Sequence, residues 1–179
     1  MTLEGASSSS SSSSTSPRPY DVFLSFRGKD TRHNFTAYLC KTLREKGIYT
    51  YMDDKLRMGD EIGPELLKAI NESRIAIVIL SENYASSTWC LRELEKILEC
   101  METKQQIVMP VFYEVNPSDV RHLKKSFGEA LAKHESRNTG EDSTVKHWKA
   151  ALQKVANLSG KHLVEGYVFL TLYMYTPLK

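Results

Sequence analysis

Ile75-Ala76-Ile77-Val78-Ile79-Leu80 is apolar at every position. A strand with one wet face alternates apolar and polar residues. A short β-branched run without alternation is expected of a strand covered on both faces, as in a parallel sheet packed between helices. Working outward, residues 20–26, 48–52 and 107–113 read as strands too, starting about 27–32 residues apart, the length of a β-α-β unit. Between them, 34–46, 64–72 and 89–102 carry helical patterning. Gly47 stands where the residue after a helix belongs and Pro64 where a first-turn proline belongs. Pro110 inside the fourth strand is better suited to an edge or a bulge. Beyond Tyr113 comes a loop over 114–122, a short helix over 126–134, and a longer helix over 144–158 with Trp148, Leu152 and Val155 on one face; Ser159-Gly160 ends it. The alternation predicts an α/β fold: a flavodoxin-like doubly wound parallel sheet of four to five strands with helices on both faces.

The ends differ from this middle. Residues 1–19 form a Ser-rich tail with nothing to bury, expected to be disordered. The domain occupies 20–164, with Lys161-His162-Leu163-Val164 as a fifth strand. Residues 165–179 form an atypical apolar tail, Tyr167-Val168-Phe169-Leu170-Thr171-Leu172-Tyr173-Met174-Tyr175 at its heart. The tail is too short to span a membrane; it adds a strand, covers bare sheet, or is exposed and aggregation-prone. A net charge of +2 gives no field that calls for nucleic acid or an anionic membrane. Cys40, Cys90 and Cys100 are odd in number and widely spaced, so neither a disulfide framework nor a zinc site is indicated, and reduced thiols of a cytoplasmic protein fit best. The five histidines lack ligand spacing and read as surface or capping residues, and no metal site is expected. No apolar leader opens the chain, and neither a Rossmann G-x-G-x-x-G nor a Walker A, H-E-x-x-H or G-x-S-x-G pattern occurs.

Ligands of doubly wound sheets bind outside the carboxyl ends of the strands, which selects the loops 27–33, 53–63, 81–88 and 114–122. In the helix opening at Trp89, Leu91, Leu94, Leu98 and Met101 form the core stripe. Glu93 lies on its flank, a first-turn carboxylate with Trp89 four residues earlier on the same side. On spacing alone it is either a solvated glutamate favouring the helix dipole or a group facing a cleft. Arg27 and Gly28 are either a surface charge after a strand or a guanidinium and close backbone approach to phosphates or adenine. Ser81, Tyr84 and Ser87 offer hydroxyls to a ribose, or serve turn chemistry and capping. Cys90 reads as a small buried apolar residue.

The four loops contain Ser25-Phe26-Arg27-Gly28-Lys29-Asp30-Thr31-Arg32, Asp53-Asp54-Lys55-Leu56-Arg57-Met58-Gly59-Asp60, Ser81-Glu82-Asn83-Tyr84 running to Trp89-Cys90-Leu91-Arg92-Glu93-Leu94, and Asn116-Pro117-Ser118-Asp119. In this order they resemble the TIR (Toll/interleukin-1 receptor homology) domain of plant immune receptors of the TIR-NBS-LRR disease-resistance family, over residues 20 to about 160. The resemblance implies an NAD+ glycohydrolase of plant innate immunity, active in the cytoplasm or also the nucleus and activated by TIR self-association. Glu93 would be its catalytic residue. Phe26, Arg27, Gly28, Ser81, Tyr84, Ser87 and Trp89, with Lys55, Arg57 and Gly59 on a covering second loop, would hold NAD+ (or NADP+) as substrate, with no permanently bound cofactor. Cys90 falls where some family members are implicated in forming cyclic nucleotides. A lone carboxylate suits this reaction: nicotinamide leaves as a neutral pyridine, so no general acid is needed, only a negative group beneath an oxocarbenium-like ribose.

The chain also departs from the family. Ala37-Tyr38 replaces a Ser-His pair at one self-association face, and Lys125 replaces a glycine at another, where a long side chain would hinder close approach. With the unusual tail, this reads as a TIR-only or truncated product. The competing function is a non-catalytic TIR–TIR interaction module regulating full-length receptors.

Overall fold

Five parallel strands form one sheet in the order β2-β1-β3-β4-β5: β1 (Tyr20–Phe26), β2 (Thr50–Met52), β3 (Ser73–Leu80), β4 (Ile107–Tyr113) and β5 (Lys161–Leu163). This is the doubly wound order that the alternation predicts. The computed structural model describes residues 19–53, 63–137 and 142–164, so both tails, apart from Pro19, and the loop carrying Lys55, Arg57 and Gly59 lie outside the described residues. The helices are α1 (Gly28–Thr31), continued by a π-helical turn over Arg32–Thr36 into α2 (Ala37–Glu45), then α3 (Pro64–Asn71), α4 (Thr88–Lys104), α5 (Pro117–Arg121), α6 (Lys125–Arg137) and α7 (Asp142–Ala156).

Strand parity assigns each side chain to a face. Val22, Leu24, Phe26, Ile77, Ile79 and Val111 pack with Phe35, Leu39 and Cys40 of the first helical segment on one side. Phe23, Ala76, Val78, Leu80 and Phe112 face α3, α4, α6 and α7 on the other. Ser25 shares the parity of Phe23, so its hydroxyl points towards the α4 side, where it is completely buried. β3 is flanked by β1 and β4, which is why 75–80 contains no polar residue.

Pro110 pairs in register with Val78, but β5 begins opposite Val111. Over residues 107–110 β4 is therefore an edge, and the proline is placed where its missing N–H is tolerated. Gly160 is required beside it, since a Cβ there would lie 2.3 Å from the Pro110 carbonyl oxygen. Ile107, 59% exposed, and Met109 stand on the face of β4 opposite α4, uncovered by any described element. All three cysteines are buried thiols outside any disulfide. One histidine departs from the surface reading: His134 is buried, with Nε2 3.0 Å from the Ala85 carbonyl and its ring edge-on to Trp148, and it ties α6 to the segment before α4.

Candidate active site

The loops after β1 and β3 meet at the carboxyl edge of the sheet, and α4 starts there. Ser87 caps α4: its Oγ accepts from the Cys90 N–H at 3.3 Å, satisfying one of the free donors of the first turn. Glu93 follows in the second turn, not the first, and it is not on a wet flank. Cys90, Leu91, Glu93, Leu94, Ile97, Leu98 and Cys100 are all buried, because α4 packs against the sheet while α3 and α7 lie alongside. The apolar stripe identifies the side facing the sheet; the buried face of α4 is wider than that stripe and includes Glu93, while Arg92 and Glu99 remain exposed.

Glu93 is 3% exposed. Its Oε1 accepts from the Trp89 indole N–H at 2.6 Å, and its Oε2 lies 2.7 Å from Ser25 Oγ. Ser25 Oγ is in turn 2.9 Å from the Tyr84 hydroxyl, which donates to the Cys90 carbonyl at 3.1 Å. Desolvation pushes the carboxyl up to about 8, against the two hydrogen bonds that favour its charged form, with Asp53 adding to the rise. In this state burial favours the protonated form of Glu93, whereas the helix dipole alone would favour the ionised one. Burial likewise pushes the Cys90 thiol up to about 12, and its Sγ lies 3.6 Å from the Phe26 carbonyl. It behaves as a small buried apolar group.

The helix after β1 begins directly at Gly28, where the sequence pattern suggested a loop. Asp30 organises it: its Oδ2 accepts from Ser81 Oγ at 2.6 Å and from the Asn83 N–H at 3.1 Å, binding the β1 and β3 loops together. Arg27 Nε lies 3.4 Å from Asp30 Oδ1, near enough for ion pairing but without hydrogen-bond geometry. Arg32 Nη1 donates to the Asp53 carbonyl at 2.6 Å, and its guanidinium lies 5.1 Å from the Phe26 ring centroid. Gly28 leaves room for it, as a Cβ would come within 3.1 Å of the Arg32 Nε. Phe26, Arg27, Gly28, Ser81, Trp89 and Glu93 thus converge at this edge. Tyr84 is fully buried as a packing and hydrogen-bonding residue, and Ser87 has the capping role. Sequence reading did not single out Ser25, Asp30 or Arg32. Strand parity was the available signal for Ser25: a polar residue at a core-facing position of a buried strand.

The positions that the resemblance assigns to self-association lie elsewhere. Ala37 and Tyr38 open α2. Lys125 opens α6 with φ +50 and is ion-paired with Asp119 at 2.6 Å. A left-handed φ is itself a reason for glycine at that position, independent of any approach by a second molecule. No group of three or more His, Cys, Asp or Glu among the described residues is placed to hold a metal ion. No described helix is long and apolar enough to cross a membrane.

The family model for the TIR domain matches residues 19–167. The chain belongs to the TIR domain family. This TIR domain is 52% identical over 164 residues to the disease resistance protein RPV1 of Vitis rotundifolia, covering 92% of this chain and 12% of that protein. It is 52% identical over 142 residues to the TMV resistance protein N of Nicotiana glutinosa, covering 79% of this chain and 12% of that protein. The chain thus spans about an eighth of these relatives, as the 12% coverages show. Among solved structures, it matches the TIR domains of the activated Roq1 resistosome, which directly recognises the pathogen effector XopQ, with TM-score 0.77 and 49% identity over 86% of this chain and 98% of that one. This TIR domain is accordingly of the plant disease-resistance type, and its sheet and helices are those of the family.

Proposed function

We propose that this TIR domain cleaves the nicotinamide–ribose bond of NAD+ (or NADP+) in plant innate immune signalling, with Glu93 as the catalytic residue and TIR self-association as the activating event. The observation that carries this reading is the carboxyl of Glu93, clamped between the Trp89 indole and Ser25 at the edge where Phe26, Arg27 and Gly28 also lie. That is where a doubly wound sheet binds its ligand. An ionised Glu93 beneath the ribose stabilises the cation that develops as nicotinamide departs, and water then takes the ribosyl carbon.

The buried, neutral carboxyl describes a resting state. Two changes ionise it: opening of the site to solvent, which removes the desolvation, and entry of the cationic pyridinium, which favours the charged form. Assembly supplies the opening in this reading, in keeping with the resistosome in which the similar Roq1 TIR domains occur. The domain acts in the cytoplasm or nucleus and retains no cofactor.

Purified chain at high concentration, incubated with NAD+, is expected to release nicotinamide, and Glu93→Ala is expected to abolish release. Release that survives in Glu93→Ala removes the assignment. A second reading, a TIR–TIR interaction module without catalysis, is favoured by Tyr38 and Lys125 only in so far as they alter the association faces. Release absent from the parent, combined with concentration-dependent sedimentation, would select it.

A further inference from the structure

The hydroxyl chain around Glu93 fixes where its protons lie. The Cys90 carbonyl only accepts, so Tyr84 must donate its single O–H to it. With that hydrogen spent, the 2.9 Å contact between Tyr84 and Ser25 needs the Ser25 hydrogen. Ser25 donates to Oε2 at 2.7 Å when Glu93 is ionised; for all three contacts of the chain to hold a hydrogen at once, that hydrogen must come from the carboxyl instead. The other oxygen agrees. An indole N–H only donates, so Oε1 is the accepting, carbonyl-like oxygen, and the acid proton belongs on Oε2. Ionising Glu93 reverses the Ser25 hydroxyl and leaves either the Tyr84–Ser25 or the Tyr84–Cys90 contact without a hydrogen.

We propose that Tyr84, acting through Ser25, is a positioning residue that holds Glu93 as a carboxylic acid donating to Ser25 Oγ, so that the resting domain stores a proton that must be shed before the site works. The catalytic consequence rests on the NAD+-cleavage reading; the proton arrangement does not. On activation the proton passes from Oε2 to solvent water, Ser25 turns its hydrogen to Oε2, and Tyr84 keeps one of its two acceptors. Among the described residues, the groups facing Glu93 from the packed elements are Ser25 on β1, Tyr51 on β2 and Asp53 after it, Tyr84 before α4, and Trp89 and Cys90 on α4. None of them is a cation in contact with the carboxyl.

The two hydroxyls act in opposite directions on ionisation. Ser25 accepts from the neutral acid but donates a stronger, charge-assisted bond to an ionised Glu93, so Ser25→Ala raises the carboxyl midpoint. Tyr84 holds the Ser25 hydrogen away from the carboxylate, so Tyr84→Phe lowers it. Each change is expected to be about one pH unit, the scale of one hydrogen bond to a charged group. The test is a ¹³C NMR titration of glutamate carboxyl carbons, with Glu93 assigned by its absence in Glu93→Gln. The parent signal is expected to titrate near 8, Ser25→Ala above the parent and Tyr84→Phe below it. A parent midpoint among the ordinary carboxylates, equal midpoints in the variants, or shifts of the same sign overturn the proposal. Should Ser25→Ala not fold, the parent and the near-isosteric Tyr84→Phe still decide it. Nicotinamide release measured separately on the same samples keeps the two readings apart. A shifted titration without turnover removes only the enzymatic reading, while turnover with an ordinary Glu93 midpoint removes only this one.

Discussion

Two helical segments start at the carboxyl ends of neighbouring strands, and they treat their acidic residue in opposite ways. The segment after β1 keeps Asp30 near the surface, beside the Arg27 guanidinium and with an oxygen shared by Ser81 Oγ and the Asn83 amide. α4 takes Glu93 into the core and gives it only neutral partners, an indole and a hydroxyl. A buried carboxyl with neutral partners responds by keeping its proton, because desolvation outweighs two hydrogen bonds. Asp30 therefore serves as a brace that joins two loops, while Glu93 is a group whose charge depends on the state of the site. The lesson is that an acid near a helix start is not sufficient to define a site; the company it keeps decides its role.

The sharpest way to break this contrast is to remove each acid. Glu93→Ala is expected to lower nicotinamide release by about 10²–10³-fold or more, the usual loss of a transition-state charge stabiliser. Asp30→Asn, which loosens a brace, should reduce it by about tenfold or less, so equal losses in a parallel assay would erase the distinction.

The next effect is on stability against pH. Glu93 has its folded value near 8 against an ordinary 4.5, so the folded state binds this proton more tightly than the unfolded chain does. Its contribution is then fully present below about pH 4.5 and is lost as pH rises through about 8. The loss is on the order of a few kcal/mol at most. Glu93→Gln, which mimics the neutral acid, should flatten that decline, so the melting temperature of the variant minus that of the parent rises from pH 5 to pH 9. A constant gap would show that the carboxyl is not neutral in the folded domain.

Smaller effects test how each segment is anchored. Arg32→Ala removes a hydrogen bond to the Asp53 carbonyl and the contact with Phe26, and should cost about 1–2 kcal/mol in denaturant unfolding. Ser87→Ala removes the cap of α4 and should cost about 1 kcal/mol. Smallest is Lys125→Gly. It relieves a left-handed residue, worth about 1–2 kcal/mol, while losing an exposed ion pair worth roughly 0–1 kcal/mol and adding the entropic cost of a glycine, about 0.5–1 kcal/mol, for a net change near zero. Sedimentation of that variant and of Tyr38→His reads the association faces instead, where stronger self-association is expected. An unchanged monomer in both would leave those faces without a role in assembly.

Much of the fold was legible because its signals are local. A run apolar at all six positions of 75–80, apolar segments recurring at the spacing of a β-α-β unit, Pro64 at the first turn of α3 and Gly47 after α2 each state their own environment. The start of the first helix was not, since Arg27 to His33 shows no apolar period and that turn is held by Asp30 reaching to the β3 loop. Glu93 was found by pattern, but its environment was misread. A helical wheel built on leucines shows one buried side, whereas α4 is enclosed by α3 and α7 as well as the sheet. His134 escaped for the same reason, since its partner, the Ala85 carbonyl, is 49 residues away.

By itself the sequence determined the sheet class, the order of elements along the chain and the position of the acid, because periodicity and motif spacing are properties of neighbouring residues. The tertiary structure alone decided that Ser25, Tyr84, Trp89 and Glu93 form one hydrogen-bonded group, and that burial raises the proton affinity of the acid in it. Proton affinity depends on which distant groups exclude water and which donate. That is settled only when the strands and α4 close over the carboxyl.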